Sequence, residues 1–144
     1  MKDIKIKLVS YSEEEENLRS IRKQVFQDEQ NVPLDLEFDG QDETAEHFLV
    51  YWQGKAIGTA RLRFLEEQTA KIERLAVLKE ARGKNIATQL MEAVLDRARE
   101  KQAKQAIANA QTYIQRLYLK LGFEPMGEQF TEAGIPHIKM VKKF

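Results

Sequence analysis

The chain has 144 residues, a length that fits one domain able to bury a sizeable core, and its 23 basic and 23 acidic side chains cancel, so no net field draws it to nucleic acid or to an anionic membrane. With no cysteine there are no disulfides, thiol nucleophiles or thiolate metal sites, and two histidines make a zinc centre an unfavoured reading, so no metal is expected. Met1-Lys2-Asp3-Ile4 lacks the apolar core of a signal peptide and no run approaches the roughly 20 apolar residues of a membrane span, which makes a cytoplasmic location the default expectation.

Residues 4–9 read as a first strand. Ser12 is placed to cap a helix whose first turn holds the acids at 13–16 and which runs to about Gln27, with Leu18, Ile21, Val25 and Phe26 as its buried stripe. Residues 28–46 read as a loop containing Pro33 and Gly40. Residues 48–53 and 56–65 form a hairpin around Gly54-Lys55, and 69–78 pair next. A helix follows over 84–101, a short strand over 103–110, and a helix over 112–121. Strands at 124–130 and 137–141 close the chain. The pattern predicts an α/β architecture with a mixed, mostly antiparallel sheet of six to seven strands and helices on both faces.

The junction of strand and helix at residues 77–90 carries the chemistry. Residues 72–77 alternate as a strand does, whereas Ile86, Ala87, Leu90, Met91, Val94 and Ala98 recur at helical spacing, so the turn Arg82-Gly83-Lys84 opens a helix. A helix start has unpaired N–H groups and a partial positive charge, which attract phosphate. Gly83 lets backbone approach closely, and Arg82 and Lys84 add full charges. A pyrophosphate suits such a turn. The residues are neither a Walker loop nor a dinucleotide fingerprint, and taken alone they also read as an ordinary polar helix entry.

The strand and helix around the turn resemble motif A of the GNAT N-acetyltransferases, in which Gln/Arg-x-x-Gly-x-Gly/Ala cradles the pyrophosphate of acetyl-CoA. Arg82 and Ala87 match the first and last positions; Asn85 stands where the family usually has Gly, and Asn tolerates left-handed backbone better than most residues. Downstream, Leu117-Tyr118-Leu119-Lys120-Leu121-Gly122-Phe123-Glu124 resembles motif B, where a strand splays from its neighbour to admit the cofactor and a helix ending at Gly-Phe aims a Tyr at the thioester sulfur. Without motif A, Tyr118 also reads as a core aromatic. Gln111 falls where many relatives carry Asn. Val25-Phe26, Glu29-Gln30-Asn31-Val32-Pro33 and Phe130-Thr131-Glu132-Ala133-Gly134-Ile135-Pro136-His137 resemble the small, single-domain, ElaA-like branch of the family.

This resemblance implies a GNAT acyl-CoA N-acyltransferase fold over residues 1–144, with acetyl-CoA as acetyl donor and a primary amine of a small molecule or peptide as acceptor. Backbone of Leu75, Ala76 and Val77 would hold the pantetheine arm and polarise the carbonyl. Arg82, Gly83, Lys84, Asn85, Ile86, Ala87 and Thr88 would cradle the pyrophosphate, with Gln111 nearby. Tyr118 would protonate the departing sulfur, and no covalent enzyme intermediate is implied. Glu73, on the same strand, is the first choice of general base, with His137 and His47 second; a lone Glu on a strand also reads as salt-bridged.

Residues 28–46 hold eight acids and no Lys or Arg, and by resemblance they border the acceptor pocket. Glu29, Glu37 and Asp39, with His137, would then attract a cationic amine by electrostatic steering. A solvated surface loop is the alternative. An acyl-CoA sensor would need the Arg82 cradle without Tyr118, and a protein-interaction module would need neither. Monomer and homodimer both stay open.

Overall fold

Seven strands form one sheet in the computed structural model, which describes residues 3–144; Met1 and Lys2, which open the segment read as lacking a signal-peptide core, lie outside the described residues. The strands are β1 (Ile4–Val9), β2 (Glu46–Trp52), β3 (Lys55–Leu65), β4 (Thr69–Val77), β5 (Gln105–Gln111), β6 (Glu124–Glu132) and β7 (Ile135–Lys143). Their spatial order is β1-β2-β3-β4-β5-β7-β6, antiparallel throughout except for β4 beside β5. The first hairpin turns at Gln53-Gly54, one residue before the expected pair, and both residues have the positive φ that a tight two-residue turn demands. Ala133-Gly134 make the same kind of turn between β6 and β7, which places Pro136 and His137 in strand rather than in the turn.

Helix α1 (Tyr11–Arg22) starts one residue before the expected cap. Ser10 is its N-cap, extended, and its hydroxyl bonds the Ser12 hydroxyl at 2.9 Å instead of a helix N–H. The helical path continues to Glu29, but over Lys23–Glu29 it widens to π-helix. Leu18, Ile21, Val25 and Phe26 are buried as their spacing implies. The region expected to be all loop contains a single turn of helix, α2 (Leu34–Glu37), and folds over charged partners described below. Helix α3 (Ile86–Glu100) buries Ile86, Leu90, Met91 and Val94, each of which contributes about 1.5–3 kcal/mol on burial, together with the smaller Ala98. Packing therefore holds it more than propensity does. The last helix is shorter than expected: a 3₁₀ turn at Thr112–Ile114 precedes α4 (Gln115–Lys120).

Helices cover both faces. His47 and Glu46 are neighbours in β2, so their side chains point to opposite sides of the sheet. Tyr11 of α1 packs on the His47 ring at 5.2 Å between centroids, while Arg97 of α3 bonds Glu46 at 2.7 and 3.0 Å. Among the described residues no helix is long and apolar enough to cross a membrane.

One irregularity positions the site. β4 and β5 pair only from Thr69 to Lys71 and from Gln105 to Ile107; beyond that point the two strands part, although β4 continues to Val77 and β5 to Gln111. On that side the edge of β4 from Ile72 onward has no strand to bond. Its other edge stays paired to β3 but carries a bulge between the Arg61↔Glu73 and Thr59↔Ala76 pairs. Arg74 sits in that bulge with φ of 55°, a left-handed backbone that is unfavourable for a long side chain.

Candidate active site

The gap between β4 and β5 opens into a cavity of about 480 Å³, a size that suits a small-molecule site. Its walls come from the π-helical stretch (Val25, Phe26) with Gln30 just beyond it, from β4 (Lys71 to Val77), from Arg82 and Ala87 at the start of α3, from Gln111 to Tyr118, and from His137 with the β6–β7 turn. Sequence-distant segments thus meet at one place.

The cradle has the backbone its sequence implies. Gly83 and Asn85 both take positive φ, 77° and 64°, so Asn85 adopts the left-handed conformation that Gly would otherwise supply. Asn85 is the N-cap of α3 and makes no side-chain cap, which leaves the first N–H groups of the helix, at Ile86, Ala87 and Thr88, without a capping side chain. Arg82 is held in place by its Nε bond to the Val77 carbonyl at 2.9 Å. Its two Nη atoms grip Glu29 at 2.8 and 2.7 Å. Lys84 departs from expectation: its Nζ lies 5.2 Å from the centroid of the Trp52 ring and does not line the cavity. Arg82 and Ala87 alone represent the cradle among the cavity walls.

Leu75, Ala76 and Val77 line the cavity along the unpaired edge of β4, where backbone groups can bond an extended chain as another strand would. Across the gap, Gln111 and Gln30 bond each other through both amides, at 2.9 and 3.3 Å, and Gln30 also donates to the Tyr113 hydroxyl at 3.3 Å. Gln30 and Tyr113 were not among the residues expected at the site. Gln30 follows the π-helical stretch and Tyr113 lies in the 3₁₀ turn at Thr112–Ile114, two departures that no periodicity announces.

Tyr118 is 4% exposed and lines the cavity from α4, its ring edge-on to Phe123 at 5.3 Å. Among the described residues its hydroxyl has no hydrogen-bond partner, and burial pushes its pKa well above the ordinary phenol range. At neutral pH it is therefore protonated and can donate into the cavity. His137 lines the same cavity from β7, stacked on Phe130 at 5.8 Å. Its Nδ1 lies 2.7 Å from the Ile135 carbonyl, which can only accept, so Nδ1 carries a hydrogen and Nε2 holds the lone pair of the neutral ring. Nε2 is 3.5 Å from Glu132.

Glu73 is placed differently from a general base. Arg61 and Arg63 bond its Oε1 at 3.0 and 2.5 Å, and Lys71 approaches Oε2 at 3.5 Å. Burial alone would raise its pKa, but the Arg63 hydrogen bond and the charges of Arg61 and Lys71 outweigh it and hold the carboxyl below its usual range. A carboxylate held that way is a weak proton acceptor. His47, the other second choice, is 1% exposed, bonds the Asp42 carbonyl at 2.8 Å and does not line the cavity; burial lowers its pKa.

The acidic region is not the free anionic surface its composition suggests. Glu37 is 3% exposed and accepts from Arg22 at 2.5 Å. Asp39 accepts two bonds from Arg61, at 2.8 and 2.7 Å, which depress its pKa against a smaller opposing effect of burial. Asp42 is shared between Arg22 and Arg61. Glu29 is committed to Arg82. The charges invisible to a count over residues 28–46 are supplied by α1, β3 and β4.

Comparison with known proteins agrees with this geometry. Residues 8–144 match the acetyltransferase (GNAT) domain. The chain is 37% identical over 123 residues to the uncharacterized N-acetyltransferase YjcF of Bacillus subtilis (strain 168), covering 85% of this chain and 87% of that one. It is 31% identical over 131 residues to protein ElaA of Escherichia coli (strain K12), covering 88% and 85% of the two. The crystal structure of Escherichia coli ElaA superposes with a TM-score of 0.88 at 29% identity, over 96% of this chain and 99% of that one. A Bacillus subtilis acetyltransferase solved in complex with CoA shares the fold at a TM-score of 0.75 and 19% identity, over 99% of each chain. A splayed parallel strand pair, a left-handed turn opening a helix and a buried tyrosine beside the gap thus accompany likeness along nearly the whole length, and the chain belongs to the GNAT acetyltransferases, among the small ElaA-like proteins.

Proposed function

We propose that the chain transfers an acetyl group from acetyl-CoA to a primary amine by direct attack of the amine on the thioester. The observation that carries this reading is the Tyr118 hydroxyl, kept protonated by burial, in the wall of the gap that the parting of β4 from β5 opens. The residues present fit the donor. The uncapped start of α3 and Arg82 offer N–H groups and charge to a pyrophosphate, and the unpaired edge of β4 at Leu75, Ala76 and Val77 offers backbone groups to the pantetheine arm. That the related Bacillus subtilis fold was solved with CoA supports the same assignment.

Bound acetyl-CoA supplies the thioester. The backbone of β4 orients and polarises the carbonyl, Tyr118 gives its proton to the departing sulfur, and the amine reaches the carbonyl after losing its own proton. We assign that proton to Nε2 of His137, whose lone pair is fixed by the Nδ1 bond to Ile135, rather than to Glu73, whose oxygens are occupied by three cations. Incubating the protein with acetyl-CoA and a panel of primary amines, while following free thiol, tests the reading. Amine-dependent thiol release is the expected result; its absence across the panel, with no rise in Tm on adding acetyl-CoA, overturns it.

A further inference from the structure

The acceptor's chemistry follows from the charge balance beside β4, and the inference rests on the acetyltransferase reading above. Arg22, Arg61, Arg63, Lys71 and Arg74 meet Glu37, Asp39, Asp42 and Glu73 in one network, buried at Arg22, Arg61, Glu37 and Asp42 and part-exposed elsewhere, so cations outnumber the carboxylates that bond them. Arg74 is only partly satisfied. Both of its hydrogen bonds start from Nη2: one reaches the neutral Glu37 carbonyl at 3.0 Å, the other Asp39 at 3.3 Å, and Asp39 is already held by two shorter bonds from Arg61. Its Nε is buried without a partner, as are Arg61 Nε and Glu37 Oε2 in the same network, and its Nη1 makes no hydrogen bond among the described residues.

A buried donor without an acceptor is costly, and Arg74 also bears a left-handed backbone. Two unfavourable features coincide on one cavity-lining residue. Burial, reinforced by the neighbouring charge of Arg61, disfavours the protonated guanidinium, so the site as it stands is short of negative charge. Glu132, at the β6–β7 turn, lines the same cavity but its ion pair is with His137 at 3.5 Å, and none joins it to Arg74. A carboxylate in the cavity would give Nη1, which makes no hydrogen bond among the described residues, a charge-assisted acceptor.

We infer that Arg74 holds a carboxylate of the acceptor, so that the substrate is a small amine that is also an acid, of the amino-acid class, and not a polyamine. The acidic residues 28–46 then serve to position the arginines rather than to draw a cation.

The test compares matched acceptors. Thiol release from acetyl-CoA is followed with glycine, L-alanine and β-alanine against ethylamine, glycinamide and putrescine. The acids should show kcat/KM at least about tenfold higher, the size of effect a charge-assisted bond gives. Arg74→Gln should bring the ratio of glycine to glycinamide close to one without changing KM for acetyl-CoA, and Arg74→Lys should keep part of the preference. Equal or better use of the amide or of putrescine by the wild-type protein overturns the inference, as does a preference that survives in Arg74→Gln. A binding measurement needs no turnover: N-acetylglycine should raise the Tm of the wild-type protein and N-acetylglycinamide should not. Equal shifts, or none with either at tens of millimolar, overturn the assignment of Arg74. This arm decides on Arg74 even if thiol release with every amine fails, whereas the transferase reading stands or falls on acetyl-CoA itself.

Discussion

Glu29 and Arg82 form a two-pronged ion pair, at 2.7 and 2.8 Å, between the end of the π-helical stretch and the turn that opens α3. The carboxylate occupies the guanidinium that the proposed donor site would turn to a pyrophosphate, so in that reading a bound phosphate group has to compete with it. Because side-chain exposures of 42% and 33% screen the pair, it is worth about 0.2–1 kcal/mol. Glu29→Gln should therefore tighten acetyl-CoA binding about two- to fivefold, and Arg82→Ala should weaken it. Isothermal titration measures both; unchanged affinity in Glu29→Gln would mean that Arg82 reaches the phosphate without leaving Glu29.

Tyr118→Phe keeps the ring that packs edge-on against Phe123 and removes only the hydroxyl. Tm and acetyl-CoA affinity should hold, while kcat falls by roughly 10²–10⁴-fold, the range for general acid–base help. A wild-type rate in a step shown to be limited by chemistry would return Tyr118 to the core.

Glu73→Gln and His137→Gln separate the two candidates for proton acceptor. Replacing Glu73 leaves Arg61, Arg63 and Lys71 less compensated, so the loss should appear in Tm, with kcat of the folded variant falling less than tenfold. His137→Gln should lower kcat by about 10²-fold or more with little change in Tm. The opposite pattern would move the base to Glu73.

Stability should fall in acid through the same network. Asp39, Asp42 and Glu73 all have folded-state pKa values depressed below their ordinary ones: Arg61 dominates at Asp39, while at Asp42 and Glu73 arginine bonds outweigh the opposing effect of burial. A depressed carboxylate contributes stability that is fully present above its unfolded pKa, about 4, and is lost as pH drops toward the folded value. Chemical unfolding should thus give a flat free energy near neutrality and a decline below about pH 4. Arg61→Met, which removes the cation common to all three acids, should cost about 3–5 kcal/mol at pH 7. A loss below 1 kcal/mol would show that the network contributes little beyond shape.

Sequence alone determined the parts that repeat a local rule. Alternation located all seven strands to within a few residues, and the helical spacing of Leu90, Met91, Val94 and Ala98 named the buried face of α3. The turn residues Arg82 to Ala87 and the run around Tyr118 carried the family, because backbone conformation at Gly83 and Asn85 is written in residue type. Tertiary structure alone decided what the charged residues do. Glu37, Asp39 and Glu73 read as available acids along the chain, but their partners are Arg22, Arg61, Arg63, Lys71 and Arg74, brought in from α1, β3 and β4. The bulge that strains Arg74 and the π-helical widening that precedes Gln30 at the gap and carries Glu29 to Arg82 are likewise products of strand register and packing. Hydrophobic periodicity is a property of neighbours in sequence, whereas Coulomb interaction and desolvation are properties of neighbours in space.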